Sequence, residues 1–184
     1  MTCIVGLVDS GQVWLGGDSA ASGGYSLTVR ADPKVFTIGA FVMGFTTSFR
    51  MGQLLRYQFT PPLHDPAKDT FTYMVADFVE GVRTCLKNGG YTRVESNVER
   101  GGQFLVGYQG RLFTVESDFQ IGESLAGYDA VGSGQDLALG ALYATSASPP
   151  AERIQIALQA ASEFNSAVRG PFTVVTTPAL VGAA

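Results

Sequence analysis

The chain opens Met1-Thr2-Cys3-Ile4-Val5-Gly6-Leu7-Val8-Asp9-Ser10-Gly11-Gln12-Val13-Trp14-Leu15-Gly16-Gly17-Asp18. Cys3–Val8 is apolar and rich in β-formers, Ser10-Gly11 is a turn signal, and Gln12–Gly16 resumes with Val13, Trp14 and Leu15, which predicts a strand pair. A second pair follows: Lys34–Ile38, a turn at Gly39-Ala40, then Phe41–Phe45. Such short continuous apolar runs suit strands buried on both faces. Between the pairs, Ser19–Gly24 is small and expected to be flexible, and Ser26–Arg30 is a candidate strand.

Two helices come next. Ser48 is placed to cap a helix through Tyr57 that Pro61-Pro62 stops, and Asp69 to cap a longer one over Thr70–Asn88 that ends at Gly89-Gly90. On the longer helix Phe71, Met74, Val75, Phe78, Val79, Val82, Cys85 and Leu86 recur at three and four, which predicts one buried face carrying Cys85 as a core thiol. The second half returns to strands at Gln103–Tyr108 and Arg111–Ser117, joined by the hairpin signal Gln109-Gly110. Ala130-Val131 leads through Gly132-Ser133-Gly134 into a helix ending at Ala144. Pro149-Pro150 opens another, to about Phe164, with Ile154, Ile156, Leu158 and Ala161 expected on its buried side; Phe172–Thr176 closes as a strand. The stretch Tyr91–Gly102 is polar and short, and neither a linker nor a repeat stands out. Strands in blocks and helices in blocks predict a layered α+β fold, read as one domain over residues 1–184.

Composition narrows the chemistry. The 184 residues include 23 Gly, 2 Cys and one His, and 15% are charged against roughly 25% in an average soluble domain. Cys3 and Cys85 are too few for a disulfide framework, and a four-ligand zinc cage lacks both Cys and His. A net charge of −4 with no basic block argues against nucleic acid. The apolar runs, such as Ile38–Phe45, are too short to span a bilayer, and no secretory signal precedes them, so a cytoplasmic protein is expected. Mean hydropathy of +0.17 with so few charges leaves little to coat a monomer and predicts subunit contacts.

Removal of Met1 would give Thr2 a free α-amine beside its own hydroxyl. An α-amine titrates near 7.7–8.0, so at neutral pH it can act as a base, and Thr with its own terminal amine is a nucleophile–base pair that needs no His. Asp18 follows the second strand and Lys34 begins the next pair. A buried Lys held by a carboxylate beside the nucleophile lowers the amine's pKa and helps the hydroxyl lose its proton.

Thr2, Gly17-Asp18 and Lys34-Val35 are evenly spaced, with sixteen residues from Thr2 to Asp18 and sixteen from Asp18 to Lys34. In this order and spacing the chain resembles the N-terminal nucleophile (Ntn) hydrolases of the proteasome β-subunit superfamily, most closely the bacterial HslV-type peptidase that works with a ring ATPase. The likeness extends to Thr2-Cys3-Ile4-Val5, to Gly44-Phe45-Thr46-Thr47 at the oxyanion turn, and to Val131-Gly132-Ser133-Gly134 before a helix. It implies a four-layer αββα sandwich, ring assembly from copies of the chain, and cleavage of peptide bonds. Thr2 would be the nucleophile, Lys34 and Asp18 would set the charge around it, Ser133 would support the amine, and the Thr47 N–H would hold the oxyanion. No cofactor is required on this reading, although carbonyls at Ser162, Asn165 and Val168 are where relatives hold a monovalent or divalent cation.

Two positions depart from the pattern. Thr47 stands where Gly is usual, which is expected to narrow the substrate groove. In Asn165-Ser166-Ala167-Val168-Arg169-Gly170, Asn165 replaces a carboxylate and Val168 a hydroxyl, with Ser166 a nearby substitute. The altered loop keeps open a catalytically silent structural subunit, and Ntn chemistry also admits an amidase acting on a small non-peptide substrate. A Ser-His-Asp reading of Gly17-Asp18-Ser19 needs His64, which the flanking prolines mark as an exposed turn residue.

Overall fold

A computed structural model describes residues 2–23 and 25–178. Strands β1 (Ile4–Asp9) and β2 (Gln12–Gly17) are followed by the hairpin β3 (Ala20–Gly23) and β4 (Ser26–Val29), then by β5 (Val35–Ile38) and β6 (Phe41–Phe45). Helix α1 (Phe49–Tyr57) precedes α2 (Thr70–Tyr73), which runs through a π-helical stretch, Met74–Phe78, into α3 (Val79–Asn88). A small hairpin, β7 (Arg93–Glu95) and β8 (Val98–Arg100), leads to β9 (Phe104–Tyr108), β10 (Arg111–Val115), β11 (Ile121–Glu123) and β12 (Tyr128–Val131). Helices α4 (Gln135–Ala144) and α5 (Pro150–Phe164) and strand β13 (Thr173–Thr176) complete the order.

Two antiparallel sheets face each other, one ordered β12-β1-β2-β13 and the other β11-β10-β9-β6-β5. Ile4, Val13, Leu15, Val35, Val42, Leu105 and Leu112 fill the space between them. Alternate residues of β1 turn the other way: Cys3, Val5 and Leu7 pack with Ala138, Leu142, Ile154 and Leu158 of α4 and α5. On the far side of the five-stranded sheet, Met43, Phe104, Val106 and Phe113 meet Met51, Leu54, Phe78 and Val82 of the other helices. The result is the expected αββα sandwich, with β1 buried on both faces. Among the described residues no helix is long and apolar enough to cross a membrane.

Both predicted caps form. Ser48 Oγ accepts from Arg50 N, and Asp69 accepts from Phe71 N and Thr72 N. The face of the long helix differs from the expected one, because Phe71 and Val75 are exposed while Tyr73 is buried. Val79 N donates to Met74 O, five residues back, so buried residues recur at five through the π stretch (Tyr73 to Phe78, Met74 to Val79) and at four after it (Phe78, Val82, Leu86). On α5, Ala157 is buried and Ile156 only partly so.

Two further expectations are corrected, and one unassigned stretch gains structure. Ser19–Gly23 is not a flexible link, since Ala20–Gly23 pairs with β4 in register Ala20↔Val29, and Gly24 lies outside the described residues. Within Tyr91–Gly102 the turn Ser96-Asn97, with φ of 50° and 65°, joins β7 to β8. His64 is half-buried rather than exposed. Its Nε2 lies 2.9 Å from Lys68 O and its Nδ1 3.0 Å from the Tyr108 hydroxyl, and its ring stacks on Tyr73 at 4.3 Å. A carbonyl only accepts, so Nε2 is the donor to Lys68 O. The imidazole pins the proline-rich loop to the core.

Candidate active site

The site lies where the same ends of the two sheets come together. Pairing of Ile4 with Gly17 carries Asp18 alongside Cys3, whose N–H donates to Asp18 Oδ1 at 3.0 Å. Lys34 stands just before β5 in the opposite sheet and crosses the gap. Its Nζ donates to Asp18 Oδ1 at 2.7 Å and to Thr2 Oγ1 at 2.7 Å. The crossing is short because Gly44 has no side chain: a Cβ there would lie 2.6 Å from Ile4 Cγ2. The evenly spaced Thr2, Asp18 and Lys34 of the sequence are thus a contiguous hydrogen-bonded set.

All three are buried, with Lys34 and Asp18 each 1% exposed. A lone buried charge would be prohibitive, so the satisfaction of the carboxylate decides whether the pair can exist. Asp18 Oδ2 accepts from Ala20 N at 3.0 Å and from Arg169 N at 3.3 Å, which leaves neither oxygen unpaired. Burial pushes the Lys34 ammonium below its ordinary value of 10.5, with the Asp18 charge opposing. The Cys3 thiol is pushed up to about 12 by burial and then by the Asp18 charge, so it stays protonated and inert.

Ser133 meets Thr2 from the turn before α4. Thr2 N donates to Ser133 Oγ at 3.3 Å, and Ser133 Oγ and Gly134 N donate to Thr2 O at 3.4 and 3.3 Å. Gly132 has φ of +101°, and a Cβ on it would lie 2.3 Å from Thr2 O, so only glycine allows this approach. Asn165 Nδ2 donates to Ser133 O at 2.7 Å while its Oδ1 accepts from Ala167 N at 3.0 Å. A carboxylate has no hydrogen for the first of these bonds, which gives the departure at Asn165 a physical reason. Ser166 is exposed and makes no hydrogen bond to this set among the described residues.

Thr46–Ser48 form a tight turn closed by Ser48 N to Thr46 O at 2.7 Å, with Thr47 at φ of +64°. A β-branched residue there is strained by about 1–3 kcal/mol. Thr47 Oγ1 is taken up by Gln103 N at 3.2 Å, while the Thr47 N–H has no acceptor among the described residues. Thr2, Ala21, Ser22, Phe45, Thr47 and Phe49 line a cleft of about 130 Å³ at this turn. Thr47→Val keeps the shape and removes the hydroxyl that accepts from the Gln103 N–H. We expect a loss of about 1–2 kcal/mol, read as a melting temperature lower by about 2–8 °C, with the N–H at residue 47 retained.

The three carbonyls expected at a cation carry hydrogen bonds from the chain itself. Ser162 O and Val168 O accept from Arg169 Nη1 at 2.6 and 2.9 Å, and Asn165 O accepts from Val168 N at 3.2 Å. Among the described residues no group of three or more His, Cys, Asp or Glu side chains forms a metal site.

Sequence reasoning missed Arg169, Gln103 and the donor role of Asn165. For Arg169 a signal existed, a basic residue just beyond a helix C-terminus. Gln103 acts through its main chain and left no side-chain signature.

No family model matches the chain, and no curated protein matches it. Solved structures do. Thiobacillus denitrificans BPH in complex with epoxomicin superposes with a TM-score of 0.76 at 22% identity, covering 95% of this chain and 97% of that one. Eukaryotic HslV from Trypanosoma brucei gives 0.67 at 15% identity over 95% and 98% of the two chains. Anbu (ancestral beta-subunit) from Yersinia bercovieri gives 0.65 at 15%, over 96% and 81%. The fold is that of the proteasome-like Ntn hydrolases. In this Ntn fold, the start of β1, the end of β2 and the start of β5 bring together the three residues that the sequence marked.

Proposed function

We propose that the chain is a threonine-type Ntn hydrolase that cleaves amide bonds in peptides, with Thr2 as nucleophile once the Met1–Thr2 bond has been cut. Met1 itself lies outside the described residues. The observation that carries this reading is Lys34 Nζ, 2.7 Å from both Thr2 Oγ1 and Asp18 Oδ1 in a buried setting. A silent subunit has no use for a buried ammonium aimed at a hydroxyl.

In the proposed reaction Thr2 Oγ attacks the substrate carbonyl carbon and its proton passes to the Thr2 α-amine. The Lys34 charge favours the developing alkoxide and disfavours a second positive charge on that amine. Ser133, beside Thr2 N, orients the amine. The Thr47 N–H donates to the oxyanion, a contribution typically worth about 2.7–4 kcal/mol. The carbon–nitrogen bond then breaks, the leaving amine takes the proton, and water hydrolyses the ester on Thr2. The same reading includes self-assembly into a homo-oligomeric ring in the cytoplasm, for which Leu27 and Val29 on β4 and the exposed Tyr143 and Phe164 offer apolar surface.

The probe is epoxomicin, with which the Thiobacillus BPH was solved. Intact mass is expected to show the chain without Met1 and one covalent adduct per chain. Thr2→Ala should lose the adduct and at least about 10³-fold in peptide hydrolysis. Retained Met1, or an adduct that persists in Thr2→Ala, sinks the mechanism. Native mass of the same sample reads the assembly, and a monomer would remove the ring from the proposal.

A further inference from the structure

We propose that the Arg169 guanidinium takes the place of a bound metal ion in the loop after α5, so that Asp18, and through it Lys34, is positioned without any cation from solution. Ser162 lies in the last turn of α5, where carbonyls have no partner within the helix and the helix dipole is negative. Arg169 Nη1 gives hydrogen bonds to Ser162 O at 2.6 Å and to Val168 O at 2.9 Å, the geometry of a cation shared between two oxygens. Val168 O also accepts from Ser162 Oγ at 3.2 Å. A metal ion at these carbonyls would have to displace a charge that is covalently tethered beside them.

The same residue reaches the site through its main chain. Arg169 N donates to Asp18 Oδ2 at 3.3 Å, and Arg169 O accepts from Ser19 N at 2.8 Å. Ser19 Oγ donates to Pro171 O at 2.6 Å, which fastens the loop to the turn that carries Asp18. The side chain therefore locks the loop against α5, and the locked loop presents an N–H to the carboxylate that holds Lys34. Arg169 is a positioning residue, since it touches neither Thr2 nor the cleft among the described residues.

This inference rests on the Thr2 reading only in its kinetic arm, so two measurements are made on wild type, Arg169→Ala and Arg169→Lys. The first is the melting temperature in EDTA and in KCl, MgCl₂ or CaCl₂ at matched ionic strength. Wild type is expected to melt within about 1 °C in all four, and Arg169→Ala to melt about 3–8 °C lower. Arg169→Lys should recover part of that difference, because an ammonium also donates to carbonyls. A wild-type melting temperature that falls by several degrees in EDTA, or rises by as much with one cation, overturns the proposal. So does an Arg169→Ala variant that melts with the wild type.

The second measurement is the rate and end point of epoxomicin labelling well below the melting temperature. Arg169→Ala should label to the same end point about tenfold more slowly, with Arg169→Lys between it and wild type. A merely structural role would leave the rate of the folded fraction unchanged, and that outcome overturns the link to Asp18. If wild type itself does not label, the Thr2 reading fails while the melting series still decides what occupies the carbonyls.

Discussion

Lys34→Met is expected to fold, to lose Met1, and to react with epoxomicin about 10²–10⁴ times more slowly than wild type. The methionine replaces the aliphatic stem of Lys34 but leaves Thr2 Oγ1 without the donor 2.7 Å away. It also leaves the Asp18 carboxylate buried without its counter-charge. Breaking a buried pair from one side commonly costs about 3–5 kcal/mol. Here the low end applies, because Cys3 N, Ala20 N and Arg169 N still donate to the carboxylate. A fall in melting temperature of about 6–12 °C follows for a chain of this length. Arg should not restore the rate, since its planar fork cannot put one donor on both Thr2 Oγ1 and Asp18 Oδ1 in the space an ammonium fills. A folded Lys34→Met that labels at the wild-type rate would remove Lys34 from the chemistry.

Gly132→Ala carries the second large effect. At φ of +101° any L-residue is strained, and the new Cβ would sit 2.3 Å from Thr2 O, a main-chain atom that cannot rotate away. Either the turn before α4 or the start of β1 must move. The expected cost is at least about 3 kcal/mol of stability. A displacement of Thr2 by an ångström relative to Lys34 would cost about 10²-fold in labelling rate. Gly122→Ala serves as the control, because a Cβ there meets nothing within 4 Å. Wild-type melting and labelling in Gly132→Ala would show that the approach of this turn to Thr2 is not what fixes that residue.

Fold and site were legible in the sequence to different depths, for reasons that differ residue by residue. The β1–β2 and β9–β10 pairs were readable because turn signals at Ser10-Gly11 and Gln109-Gly110 interrupt apolar runs, and both turns have the positive φ these residues accept. Thr2, Asp18 and Lys34 were readable because each flanks the end of a strong strand, so that linear spacing becomes proximity once the sheets stack. The buried face of the helix after Asp69 was misread because one extra residue per turn leaves no mark on composition; only the hydrogen bond from Val79 N to Met74 O reveals it. The β7–β8 hairpin was missed because its strands are three residues long and largely polar. The carbonyls of Ser162 and Val168 share one donor, the Arg169 side chain, whose position beyond the helix C-terminus was a signal left unused.

The topology also fixes an order in time. Thr2 hydrogen-bonds to a residue 131 positions later, Asp18 to one 151 later and Val13 to one 164 later. Strand β1 has β12 as a neighbour and β2 has β13, so the sheet cannot close until strands far apart in sequence have met. Pairings this distant form late in folding. Until they form, Thr2 lacks Ser133 and Asp18 lacks Arg169. The set around Thr2 is therefore assembled only when segments more than 130 residues apart have met.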